Sequence, residues 1–329
     1  MGCRVFTNHD ARSTTRRTTT HRSTIRIGIP CPLSRVESSR VEPSRRARGE
    51  VDETDSKRNE TNRIETRARQ ADVDRSAVID SSGKEINRNK LIALLSEIVL
   101  KESPGATIVT DSVTSDGLHK FITAKGGKHV RFMRGYKNVI NKGKELNASG
   151  VVTPLMIETS GHGAMKENYD LDDGAYLAVK IIIEAVRRRL ANEPSIGQVL
   201  ETLEEPLEEA EVRLKIADPD FKAYGLNVIE NLLAAVNDPA HSLFGKCKPA
   251  PDNYEGLRVC VDEGDGRQGW FLLRCSLHDP VMVLNFESQT QCGVQTMAEE
   301  FGTWILDENY DKLDGSAVYA LYDTKDCPM

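Results

Sequence analysis

The stretch Ile157–Glu167, I-E-T-S-G-H-G-A-M-K-E, constrains this chain more than any other. Leu155, Met156 and Ile157 form a short apolar run that stops at Glu158, Ser160 and His162, with glycines at 161 and 163. A continuous apolar run bounded by glycine reads as a buried strand ending in a tight loop. Glycine lets the backbone turn there and approach a ligand closely. Open α/β sheets bind ligands at the C-terminal ends of their strands. A carboxylate, a hydroxyl and an imidazole at such an end supply the donors and acceptors that a sugar's vicinal hydroxyls need.

The surrounding pattern supports that placement. Ser76–Asp80 is a short β-prone run, and D-S-S-G (80–83) is a turn signal. Asn87–Lys101 has the spacing of an amphipathic helix, broken by Pro104-Gly105. Ala106–Thr110 predicts a strand, followed by a short helix, and His129–Met133 a second strand ending at R-G-Y-K (134–137). Asn138–Leu146 predicts a helix with Asn138 as N-cap. Thr153–Ile157 is the third strand, and D-D-G (172–174) opens a helix to Leu190. In that helix Leu177, Ala178, Ile181, Ala185 and Val186 are expected to face inward, with Arg187–Arg189 at the end that favours cations. Strand–helix alternation of this kind implies a parallel α/β layer.

N-E-P-S (192–195) marks a boundary. Beyond it the sequence predicts strands at Gly256–Val261, Gly269–Cys275 and Val281–Glu287, with helices near 220–237 and 295–306. That is an α+β unit, an antiparallel sheet with helices on one face.

Residues 1–69 differ. They are rich in Arg, Ser and Thr, poor in large apolar residues, and show neither helical nor strand periodicity. Such a segment buries too little to offset the entropy of ordering it, so it is expected to be disordered. Few acids through Arg48 give it a transit-peptide composition, which points to a plastid; a solvated tail on a cytoplasmic protein, or a misassigned start, fits equally.

The whole chain carries a net charge of −6, and no aromatic residues interleave the basic tail, which argues against nucleic acid as a partner. No run of apolar residues is long enough to span a membrane. The seven cysteines form no C-x-x-C pair, so neither a zinc site nor a disulfide framework is expected.

In R-C-S-L-H-D-P (274–280), between two predicted strands, Arg274 offers a planar fork for phosphate oxygens, Ser276 a hydroxyl and His278 a further donor. With this loop in view the chain resembles the α-D-phosphohexomutase family, the phosphoglucomutases and phosphomannomutases, over roughly residues 70–310 and thus over that family's C-terminal half. The resemblance rests on features in the family's order. A-D-V-D-R-S-A (71–77) is similar to its metal loop D-x-D-x-D-R, and R-G-Y-K to the short Gly/Lys loop of its third domain. E-T-S-G-H (158–162), followed by L-D-D-G-A-Y (171–176), is similar to its sugar loop, and R-C-S-L-H-D-P to its phosphate loop R-x-S-G-T-E-P.

The resemblance implies an α/β fold: a remnant of a second mutase domain at 70–103, an α/β/α domain with a mixed sheet flanked by helices at 104–192, and a smaller α+β domain at 208–329. It implies an intramolecular phosphotransferase that interconverts hexose 1- and 6-phosphates with Mg²⁺. Glu158, Ser160, His162, Gly135 and Lys137 would meet the sugar; Arg274, Ser276, His278 and Arg75 the phosphates; Asp72 and Asp74 the metal. Gln70 stands where the family has its first metal Asp, so Mg²⁺ binding is expected to be weak or lost. No S-H-N-P phosphoserine loop occurs, so the chain is expected to lack the family's N-terminal half and to be inactive alone. The alternative is a non-catalytic sugar-phosphate-binding or interaction protein.

Overall fold

The computed structural model describes residues 4–7, 23–26, 74–80, 82–276, 278–308 and 310–321. Strand β1 (Arg4–Thr7) pairs antiparallel with β2 (Ser23–Arg26) and with β3 (Ala77–Ile79), which pairs in turn with β4 (Glu85–Ile86). Two short strands therefore arise in the tail that shows no strand period; the rest of it lies outside the described residues. Between β3 and β4 the Asp80 carboxylate accepts the N–H groups of Ser82 and Lys84 at 2.8 and 2.9 Å, and Gly83 supplies the positive φ.

The next unit is a three-layer α/β/α sandwich. After α1 (Asn89–Glu102) come β5 (Thr107–Asp111), α2 (Asp116–Ala124), β6 (Lys128–Phe132), α3 (Tyr136–Ala148), β7 (Leu155–Ile157), β8 (Gly163–Met165) and α4 (Gly174–Leu190). The sheet order is β6-β5-β7-β8, with β5 parallel to β6 and β7, and β7 antiparallel to β8. Alternation along the strands sorts the core. Ile108, Leu155, Ile157 and Met165 pack with α1, α2 and α4, while Val109, Met156 and Ala164 pack against Val139 and Ile140 of α3.

Two local expectations are corrected. The N-cap of α3 is Gly135 at φ 112°, not Asn138, whose side-chain amide instead donates to the Arg134 carbonyl at 2.7 Å. On α4 Leu177, Ala178 and Ile181 are buried as expected, but Val186 is exposed. The inward position is taken by Glu184 and Arg188, both buried, because Glu184 accepts from Arg188 Nε at 2.6 Å and Arg187 Nε at 2.7 Å. Paired in this way, charges can be buried.

A short α5 (Ile196–Val199), closed by a Ser195–Gln198 capping box, leads to the second unit. Strands β9 (Glu208–Lys215), β10 (Cys247–Pro249), β11 (Leu257–Gly264), β12 (Arg267–Cys275) and β13 (Val281–Ser288) form an antiparallel sheet of order β10-β11-β12-β13-β9. Helices α6 (Phe221–Asn237), α7 (Gly293–Asp307) and the short α8 (Ser316–Tyr319) belong to the same unit. Val259, Phe271, Leu273, Leu284 and Phe286 line one face of the sheet and pack with Val228, Leu232, Phe301 and Trp304 of α6 and α7.

The opposite face meets the sandwich. Trp270 and Leu272 pack with Val113, and Arg258 stacks its guanidinium 3.5 Å from the Trp270 ring centre. Arg258 also donates to Asp116 Oδ1 at 2.9 Å and to the carbonyls of Ser112 and Thr114. Among the described residues Cys247, Cys260 and Cys275 are free thiols. Cys292 is disulfide-bonded. No helix among the described residues is long and apolar enough to cross a membrane.

Candidate functional site

The apolar run Leu155–Ile157 is fully buried as β7, and the chain turns at once. Glu158 N–H donates to the His162 carbonyl at 2.9 Å and Gly161 N–H to the Glu158 carbonyl at 3.0 Å. Gly161 sits at φ 90°, where an added Cβ would lie 2.8 Å from the Ser76 carbonyl oxygen. That oxygen belongs to the segment entering β3: Ser76 N–H donates to the Gly161 carbonyl at 3.2 Å, and Arg75 bridges to His162. Gly174, at the start of α4, presses on the same segment, with the Arg75 backbone where its Cβ would be. The two glycines thus seat Asp74 and Arg75 beside the loop.

The side chains form one network. Ser160 Oγ donates to Glu158 Oε2 at 3.1 Å and lies 3.0 Å from His162 Nδ1. Arg75 Nε donates to His162 Nε2 at 3.2 Å. With its proton on Nδ1 the imidazole donates to Ser160 and accepts from Arg75; with it on Nε2 it donates to Asp74 instead. Nε2 also lies 3.2 Å from Asp74 Oδ2 and 4.0 Å from Asp172 Oδ2. The Tyr136 ring stacks on the imidazole at 5.2 Å and 14°.

The neighbouring strand ends close the site. Gly135 N–H, at the N-terminus of α3, donates to Glu158 Oε1 at 2.6 Å. Burial, and next the charge of Asp111, push the Glu158 carboxyl above its ordinary value. Asp111, at the end of β5, is fully buried and accepts from Thr159 Oγ at 2.7 Å and Thr159 N–H at 3.3 Å.

Arg134 joins this loop to the second unit. Its N–H donates to Glu255 Oε2 at 3.0 Å, and Glu255 Oε1 lies 3.7 Å from Arg274 Nη1. Glu158, Ser160, His162, Gly135, Asp74 and Arg75 are therefore clustered, with Arg274 linked to them through Glu255 and Arg134. Ser276 Oγ accepts the N–H groups of Asp279 at 3.2 Å and His278 at 3.4 Å, which shapes its own turn, and the His278 side chain is exposed. Lys137 is exposed, its ammonium 5.8 Å from the Tyr136 ring centre. Gln70, Asp72 and Leu277 lie outside the described residues.

Asp172, Glu255, Asp111 and Arg134 were not among the expected site residues. Each sits at a strand end or turn, where an acid or arginine has no local pattern to distinguish it. Asp172, inside L-D-D-G-A-Y, carried the clearest signal.

One atom each from Asp74, His162 and Asp172 lies within 4.8 Å of the others, a spacing a single cation can span. Burial, and next the charge of Asp74, push the Asp172 carboxyl up to about 7. Crowded carboxylates of this kind fit a divalent ion, and hard oxygens suit Mg²⁺. Asp74 and Asp172 are the residues that would hold it.

Comparison with known proteins agrees with this architecture. Residues 87–205 match the family described as phosphoglucomutase/phosphomannomutase, α/β/α domain III. The phosphomannomutase/phosphoglucomutase of Pseudomonas syringae pv. tomato is 30% identical over 232 residues, 70% of this chain and 44% of that protein. Over about 70% of its length the chain is similar to phosphohexomutases. The phosphoglucomutase of Neisseria gonorrhoeae is 25% identical over 70% of this chain and 45% of its own length. A solved phosphoglucomutase/phosphomannomutase family protein from Burkholderia thailandensis superposes with a TM-score of 0.56 at 25% identity, over 73% of this chain and 45% of that one. The chain thus spans about half the length of the curated relatives it matches.

Proposed function

We propose that this chain grips a hexose phosphate in the cleft between its two units, as part of a mutase that interconverts hexose 1- and 6-phosphates. One observation carries the reading: adjacent backbone N–H groups of Arg134 and Gly135 hold Glu255 and Glu158, which brings Arg274 to the sugar loop. Glu158 and Ser160 would bind sugar hydroxyls, oriented by Gly135 and His162. Arg274 would take the non-reacting phosphate as a charge-assisted pair. Arg75, held by His162 beside Asp74, would face the transferring phosphate. A Mg²⁺ between Asp74 and Asp172 would neutralise charge on that group.

A second reading, sugar-phosphate binding without catalysis, is favoured by Gln70 in the metal-loop motif. One assay separates the two. The purified chain is incubated with glucose 1-phosphate, Mg²⁺ and glucose 1,6-bisphosphate, and glucose 6-phosphate is followed. Turnover above a Ser160→Ala control supports the mutase. Calorimetric binding of glucose 1-phosphate without turnover supports the second reading, and neither signal contradicts both.

A further inference from the structure

Glu255 precedes β11, where Gly256 at φ 60° lets the chain pass close to β12: a Cβ there would lie 2.8 Å from the Arg274 Cα. The Glu255 side chain is only 9% exposed and touches both units. Oε2 accepts from Ser112 Oγ at 2.5 Å and from Arg134 N–H at 3.0 Å, both on the sandwich. Oε1 faces Arg274 Nη1 at 3.7 Å, beyond hydrogen-bond range.

Arg274 itself is 8% exposed, and its Nε has no hydrogen-bond partner among the described residues. Burial pulls its pKa below the ordinary value. A buried guanidinium with an unused donor is costly unless something completes it. Ser112 anchors the Glu255 carboxylate from the sandwich side, while the Arg274 guanidinium and the Arg134 N–H, just before the N-cap of α3, are donors of the kind that recognise phosphate oxygens.

We propose that Glu255 is a displaceable counter-ion. A phosphate arriving at Arg274 completes the guanidinium's hydrogen bonds and displaces the carboxylate, which loosens the strap from Glu255 to Ser112 and Arg134. Occupancy of the phosphate pocket thereby governs how tightly the two units are held together. The proposal rests on Arg274 being the phosphate-binding residue of the cleft.

The test is calorimetry of the full chain with inorganic phosphate and with glucose 1-phosphate, comparing wild type, Glu255→Gln, and Glu255→Gln combined with Arg274→Ala. Glutamine keeps the shape and the acceptor for Ser112 and Arg134 but removes the competing charge. The expected result is about tenfold tighter inorganic phosphate binding by Glu255→Gln, abolished by Arg274→Ala. Binding no tighter than wild type, including none at all, overturns the proposal. Should Glu255→Gln fail to fold, Ser112→Ala removes one anchor of the carboxylate and is expected to tighten phosphate binding about twofold to threefold; no change overturns the proposal. The glucose 1-phosphate arm tests the underlying reading separately. A phosphate gain without any preference for the sugar phosphate leaves the counter-ion standing and removes the sugar. Ser160-dependent sugar-phosphate binding without a gain does the reverse.

Discussion

The backbone N–H of Gly135 reaches Glu158 Oε1 at 2.6 Å, so the first residue before α3 fixes the carboxylate at the end of β7. Gly135 holds φ 112°, a region closed to most side chains, and an added Cβ would come within 3.1 Å of Asn138 Nδ2. Gly135→Ala is therefore expected to destabilise the chain by about 1–3 kcal/mol. It should also weaken glucose 1-phosphate binding, because a backbone that leaves φ 112° carries the N–H that orients Glu158 out of place. Urea denaturation and calorimetry check the two parts.

Gly174 gives a case where local propensity and packing oppose each other. Glycine to alanine near a helix start would ordinarily stabilise by up to about 1 kcal/mol. Here the new Cβ would lie 2.5 Å from the Arg75 carbonyl carbon, which belongs to backbone and cannot swing aside. Gly174→Ala is expected to lower stability by about 1–3 kcal/mol and to expose the chain near Arg75 to trypsin. A rise in Tm would contradict the seating of Arg75 against α4.

Arg258 carries the contact between the units. It stacks on Trp270 and donates to Asp116 and to two carbonyls of the sandwich, while almost fully buried. Arg258→Ala leaves the buried Ser112 and Thr114 carbonyls without this donor, while Asp116 keeps Arg131 at 2.7 Å, and is expected to cost about 2–4 kcal/mol. Arg258→Lys should recover only part, because an ammonium cannot reach all partners in one plane. Denaturant unfolding of the three proteins measures this.

Much of the fold was legible in the sequence because burial writes a simple pattern. β5, β7, β12 and β13 are apolar runs, and α1, α4 and α6 keep a helical spacing. β8 and β10 were not legible, since Gly163–Met165 and Cys247–Pro249 are short, lack β-branched residues, and are strands only because a neighbour pairs with them. Val186 was misplaced because periodicity counts apolar residues and cannot foresee that Glu184 and Arg188 bury each other. In the site, the Glu-Ser-His loop announced itself through its glycines. Asp172 was marked only by the L-D-D-G-A-Y run around it, and Glu255 acts through Arg134, 121 residues away, and Arg274 on the neighbouring strand, so nothing local marks it.

Glu184 gives a pH dependence with a definite sign. Its hydrogen bond from Arg187, with those from Lys101 and Arg188, lowers its pKa to about 2. An unfolded glutamate titrates near ~4.3. The folded pKa is depressed, so the stabilisation is full above about pH 5 and fades as pH falls from there toward about 2. Glu184→Gln is expected to cost about 2–3 kcal/mol at neutral pH, since Arg187, Arg188 and Lys101 lose their shared carboxylate and buried Arg188 keeps Glu97 alone as a charged partner. The difference from wild type should shrink toward zero near the folded pKa of about 2. Denaturant melts across that range decide it, and a difference independent of pH would contradict the ion-pair account.

The central claim is that the Glu158–Ser160 loop and Arg274 hold opposite ends of one ligand. A crystal structure of the chain with glucose 1-phosphate tests it most directly. The account predicts a single sugar phosphate with hydroxyls on Glu158 and Ser160 and phosphate oxygens on Arg274. A ligand seated on one loop alone, with the other facing solvent, would contradict it.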